Sequence, residues 1–260
     1  MRAGRIFEII FFAGLVAIIS GCGSSAPAPP KVAPELDPND PLAAIKLMQR
    51  GQAMLAEGRV DGAVEHFQAA RTLQPGNPTI HNVLGVAELR RRNAQAAVAS
   101  FNRALELAPT YSDARNNRGA AYLQLGQLAM AEADFLAVLS DATYANRAGV
   151  FFNLGSLYLR KGNLSAAGEN FRRATASGGP VDAYLALADV EERLGHRELA
   201  EKAYLEALAR APERADIGMA LAKLYESQGR TKEAEEQYQR ILSVSPDSPE
   251  AHLIRAKQGK

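Results

Sequence analysis

The chain has 260 residues, of which 47% are hydrophobic and 23% are charged, and this composition excludes a mostly disordered protein. Lys and Arg number 30 against 29 Asp and Glu, so the formal net charge of +1 provides no long-range field that would gather nucleic acid. The single cysteine excludes an intramolecular disulfide, and 7% aromatic residues with no Trp favour helices packed on helices over a β-sandwich.

Residues 1–21 have the pattern of an export signal that is cleaved before Cys22. Arg2 and Arg5 give a positively charged start, residues 9–19 form an apolar run, and small residues stand directly before the cysteine. The apolar run is shorter than the roughly 20 residues that a membrane-spanning helix needs. The sequence Ile-Ser-Gly-Cys resembles the lipobox of bacterial lipoproteins, which implies diacylation of the Cys22 sulfur and acylation of the new N-terminus. The alternative is a buried, inert thiol beside an ordinary signal peptide.

Residues 22–41 are predicted to be an acylated cysteine followed by a proline-rich tether. Prolines favour extended polyproline-II geometry, so the tether from residue 23 to residue 41 reaches at most roughly 60 Å. Two or more acyl chains hold a protein stably on a membrane, whereas one chain gives marginal binding. Gly23 stands where Asp would resemble the inner-membrane retention signal of lipoproteins. We therefore expect the acyl chains to anchor the protein on the periplasmic face of the outer membrane.

Residues 42–260 repeat with a period close to 34 residues. Six alanines are separated by 34, 34, 36, 33 and 34 residues, and each is followed four residues later by Phe or Tyr. A Gly or Ala stands twelve residues before each alanine, and a Pro, Thr or Gly stands twelve residues after it. The six alanines are Ala63, Ala97, Ala131, Ala167, Ala200 and Ala234. A period of this length predicts a chain of stacked helix pairs.

The repeated residues have roles in packing. A small residue on the first helix faces the alanine on the second, the aromatic residue fills the space against the next repeat, and glycine and proline end the two helices. In the second repeat, the residues that match the tetratricopeptide repeat are Leu84, Gly85, Ala97, Phe101, Ala104 and Pro109. The resemblance implies an all-α fold, a right-handed superhelical solenoid of six repeats (44–77, 78–111, 112–145, 148–180, 181–214 and 215–248) with a short C-terminal capping helix (249–260). The alternative is a plain helical bundle with coincidental periodicity.

In tetratricopeptide repeats the first helices line a groove, into which the second, fifth, ninth and twelfth residues of each repeat face. In the last two repeats these positions include Asp182, Asp189 and Asp216, so the groove is expected to become acidic there. The mainly apolar remainder, with scattered amides, suits an amphipathic helix or extended peptide of a protein partner. The predicted partner-binding residues are Ile45, Met48, Gln52, Leu55, Asn82, Val86, Leu89, Asn116, Asn117, Leu123, Phe152, Asn153 and Leu159. The alternative for each of them is packing between neighbouring repeats.

No catalytic motif is present in the sequence. HExxH, GxSxG, GxGxxG and GxxxxGK[ST] are absent, and the four histidines are scattered without metal-ligand spacing. The one basic run, Arg90 to Arg92, ends a helix and lacks the interleaved aromatic residues that stack on bases. We expect no enzyme activity, metal, cofactor, small-molecule substrate or nucleic-acid partner, with an enzyme of unrecognised site as the alternative.

The junction between the third and fourth repeats indicates which group of tetratricopeptide repeat proteins the chain resembles. There the period gains two residues, over residues 141–147, and Asn116 and Asn117 stand as a pair in the third repeat. With the chain length, the lipobox and the six repeats, these features resemble the pilotin family of type IV pilus secretins. The resemblance implies a lipid-anchored factor that binds an outer-membrane secretin subunit and promotes its insertion and multimerisation. Ala145 and Arg118 depart from the family, which usually has proline and an aromatic residue there.

A second hypothesis assigns the chain to a different class of function. A periplasmic adaptor lipoprotein that recruits cell-wall hydrolases or polysaccharide-export machinery would share the lipobox and the repeats. Such an adaptor would leave secretin assembly intact, and this difference separates the two hypotheses.

Overall fold

The computed structural model describes residues 40–259, which form thirteen α-helices and no β-strand. This confirms the predicted all-α fold class. The predicted export signal, Cys22 and all but the last two residues of the tether lie outside the described residues. The helices are α1 (Ala43–Ala56), α2 (Val60–Leu73), α3 (Pro78–Arg90), α4 (Ala94–Leu107), α5 (Ser112–Gln124), α6 (Leu128–Ser140), α7 (Arg147–Arg160), α8 (Leu164–Ala176), α9 (Val181–Arg193), α10 (Arg197–Arg210), α11 (Ala215–Ser227), α12 (Thr231–Val244) and α13 (Pro249–Lys257). Within residues 40–259, no helix combines the length and the apolar character that crossing a membrane requires.

The described helices fall into two compact units that divide between Tyr144 and Ala145. In the N-terminal unit, α1 to α6 form three pairs, and each helix packs on the next along the chain. In the C-terminal unit, α7 to α12 form three further pairs, and α13 packs on α11 and α12 through its buried Ala251 and Ile254. Each pair corresponds to one repeat of the sequence, and we call its first helix the A helix and its second the B helix.

The helices begin and end at the residues that the repeat pattern supplies. Pro78 is the first residue of α3, and the Asn77 side chain accepts a hydrogen bond from the Thr79 backbone N–H at 3.0 Å. Proline needs no donor at this position, and the amide satisfies an N–H that the helix leaves open. The B helices α2 and α4 end two residues before Pro75 and Pro109, because proline cannot continue a helix.

In the first four repeats, the core is built on contacts between a glycine of the A helix and a phenylalanine of the B helix. A Cβ atom added at Gly85 would lie 2.5 Å from Cε1 of Phe101, and one added at Gly119 would lie 2.6 Å from Cε1 of Phe135. The sequence predicted that the small residue faces an alanine, but its nearest neighbour is the aromatic ring. The rings are fully buried, so the absence of a side chain on the glycine creates their space.

In the last two repeats, alanine replaces this glycine and tyrosine replaces the phenylalanine. Ala188 pairs with Tyr204 in the fifth repeat, and the Tyr204 hydroxyl donates to Oε2 of Glu192 at 3.3 Å. Burial raises the pKa of the Tyr204 hydroxyl, and the charge of Glu192 raises it further. The tyrosine therefore extends from the B helix to the A helix, and its hydroxyl finds a hydrogen-bond acceptor on the last turn of the A helix.

The turn between α3 and α4 departs from the glycine pattern of the other repeats. Gly126, between α5 and α6, has a φ of +75°, in the left-handed region that favours glycine. Arg92 occupies the corresponding position in the second repeat with a φ of 63°. Its backbone N–H still bonds the Leu89 carbonyl at 3.0 Å. The turn geometry is kept at a cost in backbone strain.

Replacing Arg92 with glycine should raise the free energy of unfolding by about 1 kcal/mol, because glycine adopts this backbone conformation without steric cost. Urea denaturation followed by circular dichroism measures the change. The reverse substitution, Gly126→Arg, is the matched control and should lower stability by a similar amount. A loss of stability in Arg92→Gly would contradict this explanation.

Candidate protein-binding faces

The N-terminal unit carries ten of the predicted partner-binding residues on α1, α3 and α5. Ile45 and Gln52 are exposed on α1, and α3 contacts α5 directly. Half-buried are Met48, Leu55, Val86 and Asn117, whereas Asn82, Leu89, Asn116 and Leu123 are buried. The accessible part of this A-helix face therefore lies mainly on α1 and at Val86 and Asn117.

Leu89 shows why part of the predicted face is buried. Its side chain packs in a cluster with Ala97, Phe101 and Ala121, which belong to the second and third repeats. Leu89 therefore packs between neighbouring repeats, which was the alternative to partner binding that the sequence left open. Met48 and Leu55 also touch core clusters, but they retain exposed surface.

A ladder of polar side chains connects the A helices of the second and third repeats. Nδ2 of Asn117 donates to Oδ1 of Asn82 at 3.0 Å, and Nδ2 of Asn82 donates to the Tyr111 hydroxyl at 3.3 Å. The sequence singled out the two asparagines but missed Tyr111, which stands just beyond a helix break. An amide carries two donors and one acceptor, so the half-buried Asn117 keeps hydrogen-bonding capacity for a peptide group.

The A-helix face of the N-terminal unit is almost uncharged. Among the second, fifth, ninth and twelfth residues of its three repeats, the only ionisable one is Asp113. The Tyr144 hydroxyl donates to Oδ1 of Asp113 at 2.8 Å. Nearby, the Ser112 hydroxyl donates to Asp141 at 2.8 Å, so the junction that follows α6 is fastened to the start of α5. The face therefore suits an apolar, uncharged segment of a partner.

Arg118, a departure from the pilotin pattern, holds three helices of the N-terminal unit together. Its Nε and Nη2 donate to the two carboxylate oxygens of Asp134 at 2.8 and 2.7 Å, and its Nη1 donates to Asn102 at 2.9 Å. The guanidinium carbon lies 5.7 Å from the Tyr122 ring centroid. The hydrogen bond to Asp134 raises the pKa of Arg118. An arginine therefore links α5 to α4 and α6 where the family pattern has an aromatic residue.

In the C-terminal unit, α7 carries the remaining predicted partner-binding residues, Phe152, Asn153 and Leu159. All three are half-buried. The Phe152 ring lies 5.8 Å from the Phe171 ring, measured between centroids, in a tilted arrangement. Phe152 thus extends the apolar core of its repeat towards the surface. Nothing in the structure tests whether these side chains contact a partner, and their role stays a prediction.

The predicted acidic character of the last two repeats is offset in part at Asp182 and Asp216, because one arginine pairs with both carboxylates. Arg214 donates to Oδ1 of Asp182 at 3.0 Å and makes two hydrogen bonds to Asp216 at 2.8 and 2.7 Å. The bonds to Asp216 and then to Asp182 raise the pKa of Arg214. Glu226 is likewise paired with Lys257 at 3.0 Å. Arg214 directly precedes α11, so it falls outside the second, fifth, ninth and twelfth positions from which the acidity was predicted.

Asp189 is the least compensated carboxylate of this face. Nη1 of Arg193 lies 3.5 Å from its Oδ2, longer than an ordinary hydrogen bond. Burial raises the pKa of Asp189, and the Arg193 charge offsets this only in part. Its ionisation should therefore lower stability as the pH rises from the unfolded-state value of about 3.9 through the raised folded-state value.

Asp189→Asn should consequently be more stable than the native chain at neutral pH, with a smaller difference in acid. Urea denaturation near pH 7 and near pH 3 measures this change. Asp247→Asn, at an exposed aspartate, is the matched control and should show little pH-dependent difference. A stability difference for Asp189→Asn that is the same at both pH values would contradict the explanation.

Three of the four histidines have local structural partners. Nδ1 of His66 lies 2.8 Å from the Gly62 carbonyl oxygen, and Nε2 of His81 lies 2.8 Å from the Pro75 carbonyl oxygen. Nδ1 of His196 lies 2.7 Å from Oε2 of Glu191, a carboxylate with 1% exposure. Within residues 40–259, no three His, Cys, Asp or Glu side chains are grouped as metal ligands would be.

Two solved structures, those of PilW and pilF, have the same fold as this chain. PilW, described as a widely conserved type IV pilus biogenesis factor, matches with a TM-score of 0.71 and 20% identity, over 81% of this chain and 97% of PilW. The Pseudomonas aeruginosa pilF structure matches with a TM-score of 0.66 and 20% identity, over 83% of this chain and 97% of that one. The resemblance predicted from sequence is thus confirmed at the level of fold.

A chain of a different kind of assembly also has this fold. A chain of the APC/C hetero-tetramer Cut9-Hcn1 matches with a TM-score of 0.69 and 16% identity, over 85% of this chain. This chain spans only 44% of that one. The fold alone therefore does not select a pilus function over another scaffold function.

The sequence also matches the profile of the tetratricopeptide repeat along almost all of its described length. The matched ranges are 36–78, 48–112, 117–183, 152–215, 185–249 and 219–257, and a second profile of the same repeat matches 100–133. These ranges agree with the helix pairs seen in both units. The chain belongs to the tetratricopeptide repeat family.

Proposed function

We propose that this protein is a non-enzymatic, lipid-anchored assembly factor that binds an outer-membrane secretin subunit and promotes its insertion and multimerisation for type IV pilus biogenesis. The observation that carries the proposal is the nearly uncharged A-helix face of the N-terminal unit, with its asparagine ladder. Tetratricopeptide repeat proteins are in general non-catalytic scaffolds for protein interaction. The match to PilW and pilF over 97% of their chains gives the proposal its direction towards pilus assembly.

The mechanism is ordinary binding at a membrane surface. Met48, Leu55 and Val86 would cover apolar segments of the secretin subunit until it inserts, and Asn117 would bond its backbone. Acyl chains on Cys22 would confine the factor to the periplasmic face of the outer membrane. Confinement to the surface that the subunit must cross raises the effective concentration of each for the other.

The test is an immunoblot for heat- and detergent-resistant secretin multimers in membranes of cells with and without the gene. Deletion should remove the multimers, the native gene should restore them, and Cys22→Ala should restore them poorly. Met48→Asp combined with Leu55→Asp should lower the multimer level at least tenfold, because two charges would have to be buried against apolar segments.

The control carries the same added charge on the opposite side of the same repeat. Gln68→Asp combined with Thr72→Asp alters exposed residues of α2 and should leave the multimers unchanged. Circular dichroism checks that both double variants are folded. Multimers that survive deletion of the gene would contradict the proposal and favour an adaptor for cell-wall hydrolases or polysaccharide-export machinery. Cross-linking would then identify the partner of that adaptor.

A further inference from the structure

The outer face of α6 is uncharged along its whole length and apolar except at its last residue, Ser140. Met130 and Leu136 are each 51% exposed, and Ala129 and Ala133 between them are also exposed. The residues of this α6 outer face are Ala129, Met130, Ala133, Leu136, Ala137 and Ser140. Large apolar side chains with half of their surface in water, on a helix face whose own residues are uncharged, indicate a contact surface.

The other B helices do not share this property. At the same six positions of its repeat, each of the other five B helices carries at least two charged residues. On α2, for example, Asp61 and Glu65 take these positions, and on α4 Arg103 pairs with Glu106 at 2.9 Å. The two carboxylates of α6 are not among these six residues: Glu132 is half-buried and borders the face one turn before Leu136, and Asp134 is buried against Arg118. The repeat pattern therefore does not require an uncharged face here.

The size of the face limits what can cover it. A helix of 13 residues is about 20 Å long and about 10 Å wide, which gives roughly 200 Å². A stable protein interface buries about 800 Å² on each partner. A second copy or a protein partner docked on this face alone would fall well short of that area. A bilayer needs no such area when a lipid anchor already holds the protein at its surface.

We propose that the α6 outer face rests on the bilayer to which the protein is anchored, with Met130 and Leu136 inserted among the lipid acyl chains. This inference rests on the proposed acylation of Cys22. The seventeen residues 23–39 that separate Cys22 from Asp40 reach at most roughly 50 Å when extended. Two repeats separate α2 from α6, and helices pack 8–10 Å apart, so α6 lies about 20 Å from α2 and about 30 Å from α1, where the unit starts. The tether is therefore long enough.

The chemistry of the face also specifies the kind of contact. It carries no Lys or Arg, so its insertion does not depend on anionic headgroups. Apolar insertion is not screened by salt, whereas attraction of a basic patch to lipid is. Insertion should therefore persist in high salt and in vesicles without anionic lipid. It would hold the N-terminal unit in one orientation on the membrane.

The test places an environment-sensitive fluorophore on the face of the lipidated full-length protein. Ala133→Cys provides the thiol, because the sulfur of Cys22, the only native cysteine, is acylated in the anchored form. The control label goes on Glu65→Cys, the same repeat position on α2. In phosphatidylethanolamine vesicles containing brominated acyl chains, we expect quenching at position 133 to be at least threefold stronger than at position 65. Met130→Ser combined with Leu136→Ser should abolish that difference.

Three results would overturn the inference: equal quenching at the two positions, quenching at position 133 that the double serine variant leaves unchanged, or a label shielded without vesicles as protein concentration rises. The last result would indicate a second copy on the face. The secretin immunoblot is independent of this measurement. Strong quenching, together with secretin multimers that survive deletion of the gene, would refute the proposed function alone. Absent quenching, together with multimers that require the gene, would refute this inference alone.

Discussion

Replacing Arg118 with leucine should lower the free energy of unfolding by about 3 kcal/mol, because it leaves a buried carboxylate without its partner. The Asp134 side chain is only 9% exposed and would lose the two hydrogen bonds that compensate its buried charge. Asn102 would lose its bond to Nη1 at the same time. Urea denaturation of the native and variant chains measures the difference.

Two controls test whether the loss of stability comes from leaving the Asp134 carboxylate without a partner or simply from removing an arginine. Arg118→Leu combined with Asp134→Leu removes both charges and should recover most of the stability, because no buried carboxylate remains. Arg103→Leu breaks an ion pair with Glu106 in which both side chains are more than half exposed, and should change stability by less than about 1 kcal/mol. Equal losses in Arg118→Leu and Arg103→Leu would contradict the role given to Asp134.

The second large effect is expected at the glycine of the third repeat. Gly119→Ala should destabilise the chain by about 2 kcal/mol, since the new methyl group would lie 2.6 Å from a carbon of the fully buried Phe135 ring. Alanine normally favours a helix over glycine by about 1 kcal/mol, so the steric cost has to exceed that gain. Thermal and urea denaturation both measure the outcome.

Gly62→Ala is the matched control, again within a helix of the N-terminal unit. There the added Cβ would meet the Sδ atom of Met54 at 2.9 Å, part of a flexible side chain that can move. This variant should be unchanged or stabilised by up to about 1 kcal/mol. If Gly119→Ala were as stable as Gly62→Ala, the close contact between glycine and phenylalanine would not limit the packing of the repeat.

The period of the sequence was sufficient to predict the helix pairs. A small residue and an aromatic residue, such as Gly85 and Phe101 in the second repeat, recur at the same two positions of every repeat. The side chains of the faces were harder to predict. Asn82 and Asn117 are 35 residues apart, and the hydrogen bond between them depends on how neighbouring repeats stack and on which rotamers they select. Sequence indicated that both positions are polar and face the same side, but it did not indicate that they bond each other.

The same limit explains why the charge that offsets part of the acidity was not predicted. Counting charges at face positions detected Asp182 and Asp216 but not the arginine that lies between them in space. Arg214 precedes its A helix, where the pattern specifies no residue type, and its side chain reaches back across 32 residues to Asp182. An ion pair between repeats cannot be read from either repeat alone.

The double pairing of Arg214 also bears on how the C-terminal unit unfolds. In an array of repeats, cooperativity depends on the free energy of each interface between neighbours as well as on the stability of each repeat. Arg214 adds a charged term to the interface between the fifth and sixth repeats, and salt weakens such a term more than it weakens apolar packing. Amide protons of α9 and α11 should therefore exchange in a single opening event at low ionic strength and in separate events at high ionic strength.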